Sequence, residues 1–196
     1  MDLMALLKSF IYLTASSLLA PVLVLLALLT VWMVIYSGNF VGRGLRRSRL
    51  PRQINVVASL ENHTFTDFPD SVQSFTKELL VLKDNCAKEV TILNLLRENE
   101  HRLWKSLDRL KMLIRIGPGL GLIGTLIPMG TGLAALGQGD LTRLSGDLVI
   151  AFTTTVVGMA LGIISYCFFT IQRRWIEEDI KNMTLAAELL TTDGGE

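Results

Sequence analysis

The chain has 196 residues, half of them apolar, with a mean hydropathy of +0.44 and a formal net charge of +1. This is too apolar for an ordinary soluble domain. Its two cysteines and two histidines are too few for a disulfide scaffold or a histidine metal centre. The near-zero net charge also conceals a strongly uneven distribution along the chain.

No Asp, Glu, Lys or Arg occurs from Ser9 to Gly42, from Ile116 to Gly139, or from Leu148 to Gln172. Each gap exceeds the roughly 20 residues that cross a bilayer. The pattern predicts an all-α membrane protein with three transmembrane helices, near 16–37, 116–137 and 148–171. The first apolar run is longer than a typical signal core and no A-x-A site follows it, so an uncleaved anchor is expected. Fourteen of the nineteen Lys and Arg lie between Gly42 and Ile116, beginning with "RGLRRSRLPR" (43–52). Arg173, Arg174 and Lys181 follow the third span, and only Lys8 and Arg143 fall on the other side. The positive-inside rule then sets an external N-terminus, a cytoplasmic 43–115 segment, an external turn at 138–147 and a cytoplasmic tail. The localisation that follows is a multi-pass protein of the cytoplasmic (inner) membrane. The arginine cluster suits a juxtamembrane anchor on anionic lipid better than a nucleic-acid surface.

Four regions result: 1–42, 43–115, 116–172 and 173–196. Within the second, "INVVASLENHTF" (54–65) has no clean period and reads as a linker or short helix. Asp67 or Phe68 is placed to cap a helix with Pro69 in its first turn. From there a heptad runs through Val72, Phe75, Leu79, Leu82, Cys86, Glu89, Leu93, Leu96, Glu100, Leu103, Leu107, Leu110 and Ile114, eleven of these thirteen positions being apolar. One long bundle helix is predicted, continuing into the second span through a kink at Gly117-Pro118. "RRWIEEDIKNMTLAAELL" prolongs the third span, and a helix over 148–190 would measure roughly 60 Å, twice the hydrocarbon thickness. "TTDGGE" reads as a disordered end.

Chemistry-bearing clusters are sparse. Cys86 and Cys167 both fall on the reducing side, His63 and His101 lack partners at ligand spacing, and the sequons at Asn62 and Asn182 face the cytoplasm. No nucleophile with its base, phosphate loop or catalytic carboxylate pair is visible. Neither an enzyme, a metal nor a cofactor is expected.

The second and third spans carry the functional signal. Gly117, Gly121 and Thr125 are spaced four apart on one face, flanked by Gly124 and Pro128. Thr154, Gly158 and Gly162 repeat the spacing in the third span, with Thr155 one step round. Lipid gives helices no hydrophobic drive to associate, so small residues that let backbones approach supply the contacts. The poor helix propensity of "IGPGLGLIGTLIPMG" is offset where no water competes for backbone groups. "FTTT" (152–155) spreads three hydroxyls over most of a turn, so at least one meets an interface. Such a hydroxyl either returns to its own i−4 carbonyl or serves a polar path, and the residues alone leave both readings open.

"GLGLIGTLIPMGTGLAAL" followed by "LSGDLVIAFTTTVVGMALGIISYCFF" resembles the MotA/TolQ/ExbB proton-channel family. The family's G-L-x-G-T core is matched by Gly121, Leu122, Gly124 and Thr125. Its A-x-x-T-x-x-G-L/M pattern is matched from Phe152, which replaces the first residue, through Thr155, Gly158 and Met159. The three-span layout is closer to ExbB and TolQ than to MotA. The resemblance implies a homopentameric ring around two copies of a single-span ExbD/TolR/MotB-like partner, each bringing one intramembrane aspartate. Thr125 and Thr155, with Thr154 beside them, would line the ion path. Gly117, Gly121, Gly124, Gly158 and Gly162 would hold the helices together. Many ExbB/TolQ-type chains carry a glutamate where Ile150 stands, so this chain has no acid of its own inside a span. The one candidate is Asp147 at the outer mouth, where a helix N-terminus would stabilise the anion. Hydroxyl-lined paths suit proton and sodium alike. Two readings therefore stand at this stage: a stator subunit of an ion-driven motor, and a non-conducting membrane scaffold.

Overall fold

The computed structural model describes residues 3–48, 68–84 and 89–192. The described elements are all helices: α1 (Leu3–Ser48), α2 (Asp70–Asp84), α3 (Glu89–Ser106), α4 (Asp108–Gly137) and α5 (Leu141–Thr192). Three stretches are long and apolar enough to cross a membrane, Ser16–Arg47, Val90–Gly137 and Leu141–Leu189. The linker at 54–65, with Asn62 and His63, Asp67, Cys86 and the end beyond Thr192 lie outside the described residues. Contacts divide the chain into two compact units, Met1–Gly38 with Leu110–Cys167 and Asn39–Arg109 with Phe168–Glu196.

In the first unit, α1 buries only a narrow seam that includes Val22, Leu26 and Met33, spaced four and seven residues apart. Leu18, Val24, Leu25, Leu28, Val31 and Val34 stay exposed around it. A helix apolar on every side is stable in hydrocarbon, where no polar face is needed. Helix α4 runs unbroken through Pro118 and Pro128, burying Gly117, Gly121, Gly124, Pro128, Gly132 and Ala135 in one stripe. It ends in a Schellman turn. The amide of Asp140 donates to the Ala135 carbonyl (3.0 Å) and that of Gly139 to Leu136 (2.9 Å), with Gly139 at φ +79°. Asp140 then caps the next helix, its Oδ1 accepting from the Arg143 amide at 3.0 Å. The turn expected over 138–147 thus contracts to 138–140, because both helix ends are satisfied within three residues.

The second unit is built around side chains. Phe68, Val72, Phe75 and Leu79 meet Ile92 and Leu96 of α3 and Met183, Ala186 and Ala187 of α5 in one apolar core. The expected single helix from 68 onward is instead three helices. The heptad describes α2, where Val72, Phe75 and Leu79 are buried, and its positions Leu96, Leu107 and Leu110 are buried further on, but at the start of α3 Ile92 turns inward in place of Leu93, which is 43% exposed. A second interruption falls at Leu107, ten residues before the expected kink at Gly117-Pro118. There the Leu107 amide bonds to Trp104 (3.0 Å), and the Ser106 hydroxyl takes the Leu103 carbonyl (2.6 Å). A serine hydroxyl competing for a backbone carbonyl and the full burial of Leu107 account for the break. At the start of α2, Pro69 stands just before the helix rather than inside it. Its carbonyl accepts from Val72 and Gln73, and the Gln73 amide group returns to the Phe68 carbonyl (2.8 Å).

The end of α1 is fastened to α5. Phe40 meets Phe168 and Trp175 at ring-centroid distances of 4.5 and 5.1 Å. A Cβ on Gly44 would lie 3.4 Å from the Trp175 ring. The Arg47 guanidinium sits 5.5 Å from the same ring and donates to both Asp179 oxygens, at 2.6 and 3.2 Å. It donates further to the Trp175 carbonyl (3.1 Å), while the Ser71 hydroxyl donates to Asp179 (2.8 Å). Arg47, expected in a lipid-facing cluster, is therefore an internal ion-pair partner, because Asp179 is buried and requires compensation.

Candidate ion-pathway site

The site lies where α4 and α5 cross in the first unit. A Cβ built on Gly158 would stand 2.7 Å from both the Gly117 carbonyl oxygen and the Gly121 Cα. A Cβ on Gly162 would stand 2.7 Å from the Pro118 ring, and one on Gly124 would stand 2.8 Å from the Thr154 Cβ. Those on Gly117 and Gly121 would meet backbone atoms of α5 at 3.0 and 3.1 Å. All five glycines therefore lie in the α4–α5 contact. At Gly158 the neighbours are backbone, which cannot move aside. Gly119, Gly130 and Gly146, by contrast, face open space.

This closeness brings hydroxyls of the two helices together. Thr125 and Thr155 are half-buried, and their hydroxyls are hydrogen-bonded to each other across the crossing. Thr125 Oγ1 also reaches its own Gly121 carbonyl (2.8 Å), and Thr155 Oγ1 reaches Ala151 (3.1 Å). Two hydroxyl protons thus have three acceptor positions: the partner hydroxyl and the two carbonyls. The pair is satisfied in either order, with Thr155 donating to Thr125 or Thr125 donating to Thr155. Thr154 is placed differently. It is buried against Gly124 and donates to Ala151 at 2.9 Å, so its hydroxyl stays inside the α4–α5 contact. Thr153 points outward and donates to Val149.

Nearer the turn, Asp147 is half-buried on α5 and accepts a hydrogen bond from the Thr131 hydroxyl of α4 at 2.7 Å. It does not stand at a helix N-terminus as expected. Since α5 begins at Leu141, Asp147 lies beyond the first turn, where the dipole's effect has fallen off. Thr131 is the residue that sequence reading passed over. It belongs to neither four-residue spacing, and its role is visible only once α5 is extended back to Leu141. Among the described residues no group of His, Cys, Asp and Glu side chains is assembled that would hold a metal ion.

The model of the MotA/TolQ/ExbB proton channel family matches residues 73–184, more than half of the chain, including all of α3 and α4 and most of α5. No curated protein and no solved structure matches.

Proposed function

Because this chain belongs to the MotA/TolQ/ExbB proton channel family, we propose that it is the channel-forming stator subunit of a membrane motor driven by an ion-motive force. Several copies, five by the family resemblance, surround a single-span ExbD/TolR/MotB-like partner that supplies an intramembrane aspartate. The N-terminus lies outside, with 43–115 and the tail in the cytoplasm, as the Lys and Arg distribution supports. The observation that carries the reading is the Thr125–Thr155 pair. Two hydroxyls from different helices meet at half-buried positions in a charge-free segment, and they exchange donor and acceptor roles without losing a hydrogen bond. Such a pair passes polarity along a helix pair without an ionised group, and the partner's carboxyl carries the ion. In this reading Thr154 holds the crossing together and Thr125 and Thr155 face the path. Each elementary charge moved down the potential supplies about 2.3 kcal/mol per 100 mV.

One observation favours the alternative, a non-conducting scaffold: each of these hydroxyls also has a carbonyl on its own helix. The two readings separate in proteoliposomes containing the chain and the single-span protein that co-purifies with it. Ion flux and partner-dependent activity are lost in Thr125→Ala/Thr155→Ala if the chain conducts. Unchanged flux in that double variant, with assembly abolished by Gly158→Leu, leaves the scaffold standing.

A further inference from the structure

Of the two acids among the described residues of the first unit, Asp140 is exposed and caps α5, whereas Asp147 is drawn into the α4–α5 contact. A Cβ on Gly132 would lie 3.3 Å from the Asp147 Cβ and 3.7 Å from Oδ2, so the carboxyl rests on the α4 backbone where a side chain is missing. Its hydrogen-bond partner is the Thr131 hydroxyl. Among the described residues no Lys, Arg or His stands within ion-pair distance of it, and Arg143 on the same helix is exposed. A carboxylate offers about four acceptor positions, of which one is used here. A half-buried carboxyl group with spare lone pairs, and with no cationic side chain beside it among the described residues, offers a cation from solution its ligand atoms.

Thr131 makes this exchange easy. Its hydroxyl lies 2.7 Å from Asp147 Oδ2 and 3.0 Å from the Pro128 carbonyl of its own helix. When a cation takes the carboxyl oxygen, the hydroxyl proton turns to Pro128 and no hydrogen bond is lost. Asp147, Ala151 and Thr155 follow at four-residue spacing on α5, which puts the carboxyl two turns, about 12 Å, from the Thr155 hydroxyl.

We infer that Asp147 and Thr131 form a capture site for a monovalent cation, a proton or an alkali ion, at the turn end of the α4–α5 hairpin. Asp147 binds the ion, and Thr131 is a positioning residue that aims the carboxyl and takes up the displaced hydrogen bond. The inference rests on the conducting reading above, and its test separates the two.

The experiment measures flux through proteoliposomes holding the full chain and its co-purified single-span partner, as a function of cation supply. One arm varies pH in choline medium free of alkali ions, and the other varies Na⁺ at fixed pH. The arm in which the variants shift half-saturation identifies the ion. Asp147→Asn keeps an acceptor for Thr131 and removes only the charge. It raises the cation concentration for half-maximal flux by at least about tenfold. Thr131→Val removes the hydrogen bond that the cation has to displace and so lowers it by about fivefold, the worth of one hydrogen bond, and Thr131→Ser restores it. A purely structural contact would alter yield or maximal rate and leave half-saturation in place. Unchanged half-saturation in Asp147→Asn or Thr131→Val overturns the capture site, even where Thr125→Ala/Thr155→Ala still abolishes flux. Flux that survives Thr125→Ala/Thr155→Ala overturns the conducting reading itself.

Discussion

In the first unit α4 meets α5 through Gly117, Gly121, Gly158 and Gly162, so closely that Cβ atoms added to the first three would touch backbone and one added to Gly162 the Pro118 ring. In the second unit α2 and α3 meet α5 through Phe75, Leu79, Ile92, Leu96 and Met183, whose side chains fill the space between the helices. The charge pattern explains the contrast. The first unit takes in the charge-free runs, where burying apolar side chains against one another gains nothing over leaving them in lipid. Contact there depends on close approach and on interhelical hydrogen bonds. In the second unit Lys, Arg, Asp and Glu recur along every helix, and removal of apolar surface from water drives association at about 25 cal/mol per Å². Polar groups divide in the same way. The glycine crossing brings together neutral hydroxyls, whereas the side-chain core is bordered by a charged pair, Arg47 with Asp179.

Substitutions can break this contrast. The largest effect is expected from Gly158→Leu, because its neighbours at 2.7 Å are backbone atoms. Assembly in detergent, read by size-exclusion chromatography, should be lost, while Gly119→Leu, which faces open space, should assemble normally. Next is Phe75→Ala, which empties the second unit's core and should cost roughly 3–5 kcal/mol. Hydrogen exchange should show that loss in α2 and α3 with α4 protection retained. Arg47→Ala leaves Asp179 buried without its partner. With Arg47 itself a fifth exposed, the loss should be about 1.5–3 kcal/mol, below that for a fully buried pair. Thermal unfolding would register it, and Arg47→Met/Asp179→Leu should recover most of it. The smallest effect on stability is expected from Thr125→Val, about 0.6 kcal/mol for a hydrogen bond between membrane helices. If that change proved as damaging as Phe75→Ala, the hydroxyl pair would be holding the fold and not serving a path.

Much of the second unit's start was legible because Val72, Phe75 and Leu79 follow a helical period that any apolar partner would select. Beyond α2 the heptad still marked Leu96, Leu107 and Leu110 as inward but misled on continuity, because a periodic stripe records which residues turn inward, not whether one helix or several carry them. Leu93 fits the repeat and is exposed, while Ile92 beside it is buried. At the crossing, the four-residue spacing of Gly117 and Gly121 is plain in the sequence. That Gly158 meets backbone while Gly162 meets the Pro118 ring is not, since it depends on how the helices are rotated and offset. Asp147 was visible as the one acid near a span, but its partner was not, because Thr131 lies sixteen residues away across a turn.

The sequence by itself determined the helical class and the number of stretches able to span a bilayer. A charge in hydrocarbon is so costly that its absence over more than twenty residues leaves a legible mark. Only the tertiary structure decided which polar groups meet: Thr125 with Thr155, Thr131 with Asp147, and Arg47 with Asp179 across 132 positions of chain. Local periodicity selects a face on each helix, whereas pairing between faces is set by docking, which no single stretch of sequence contains.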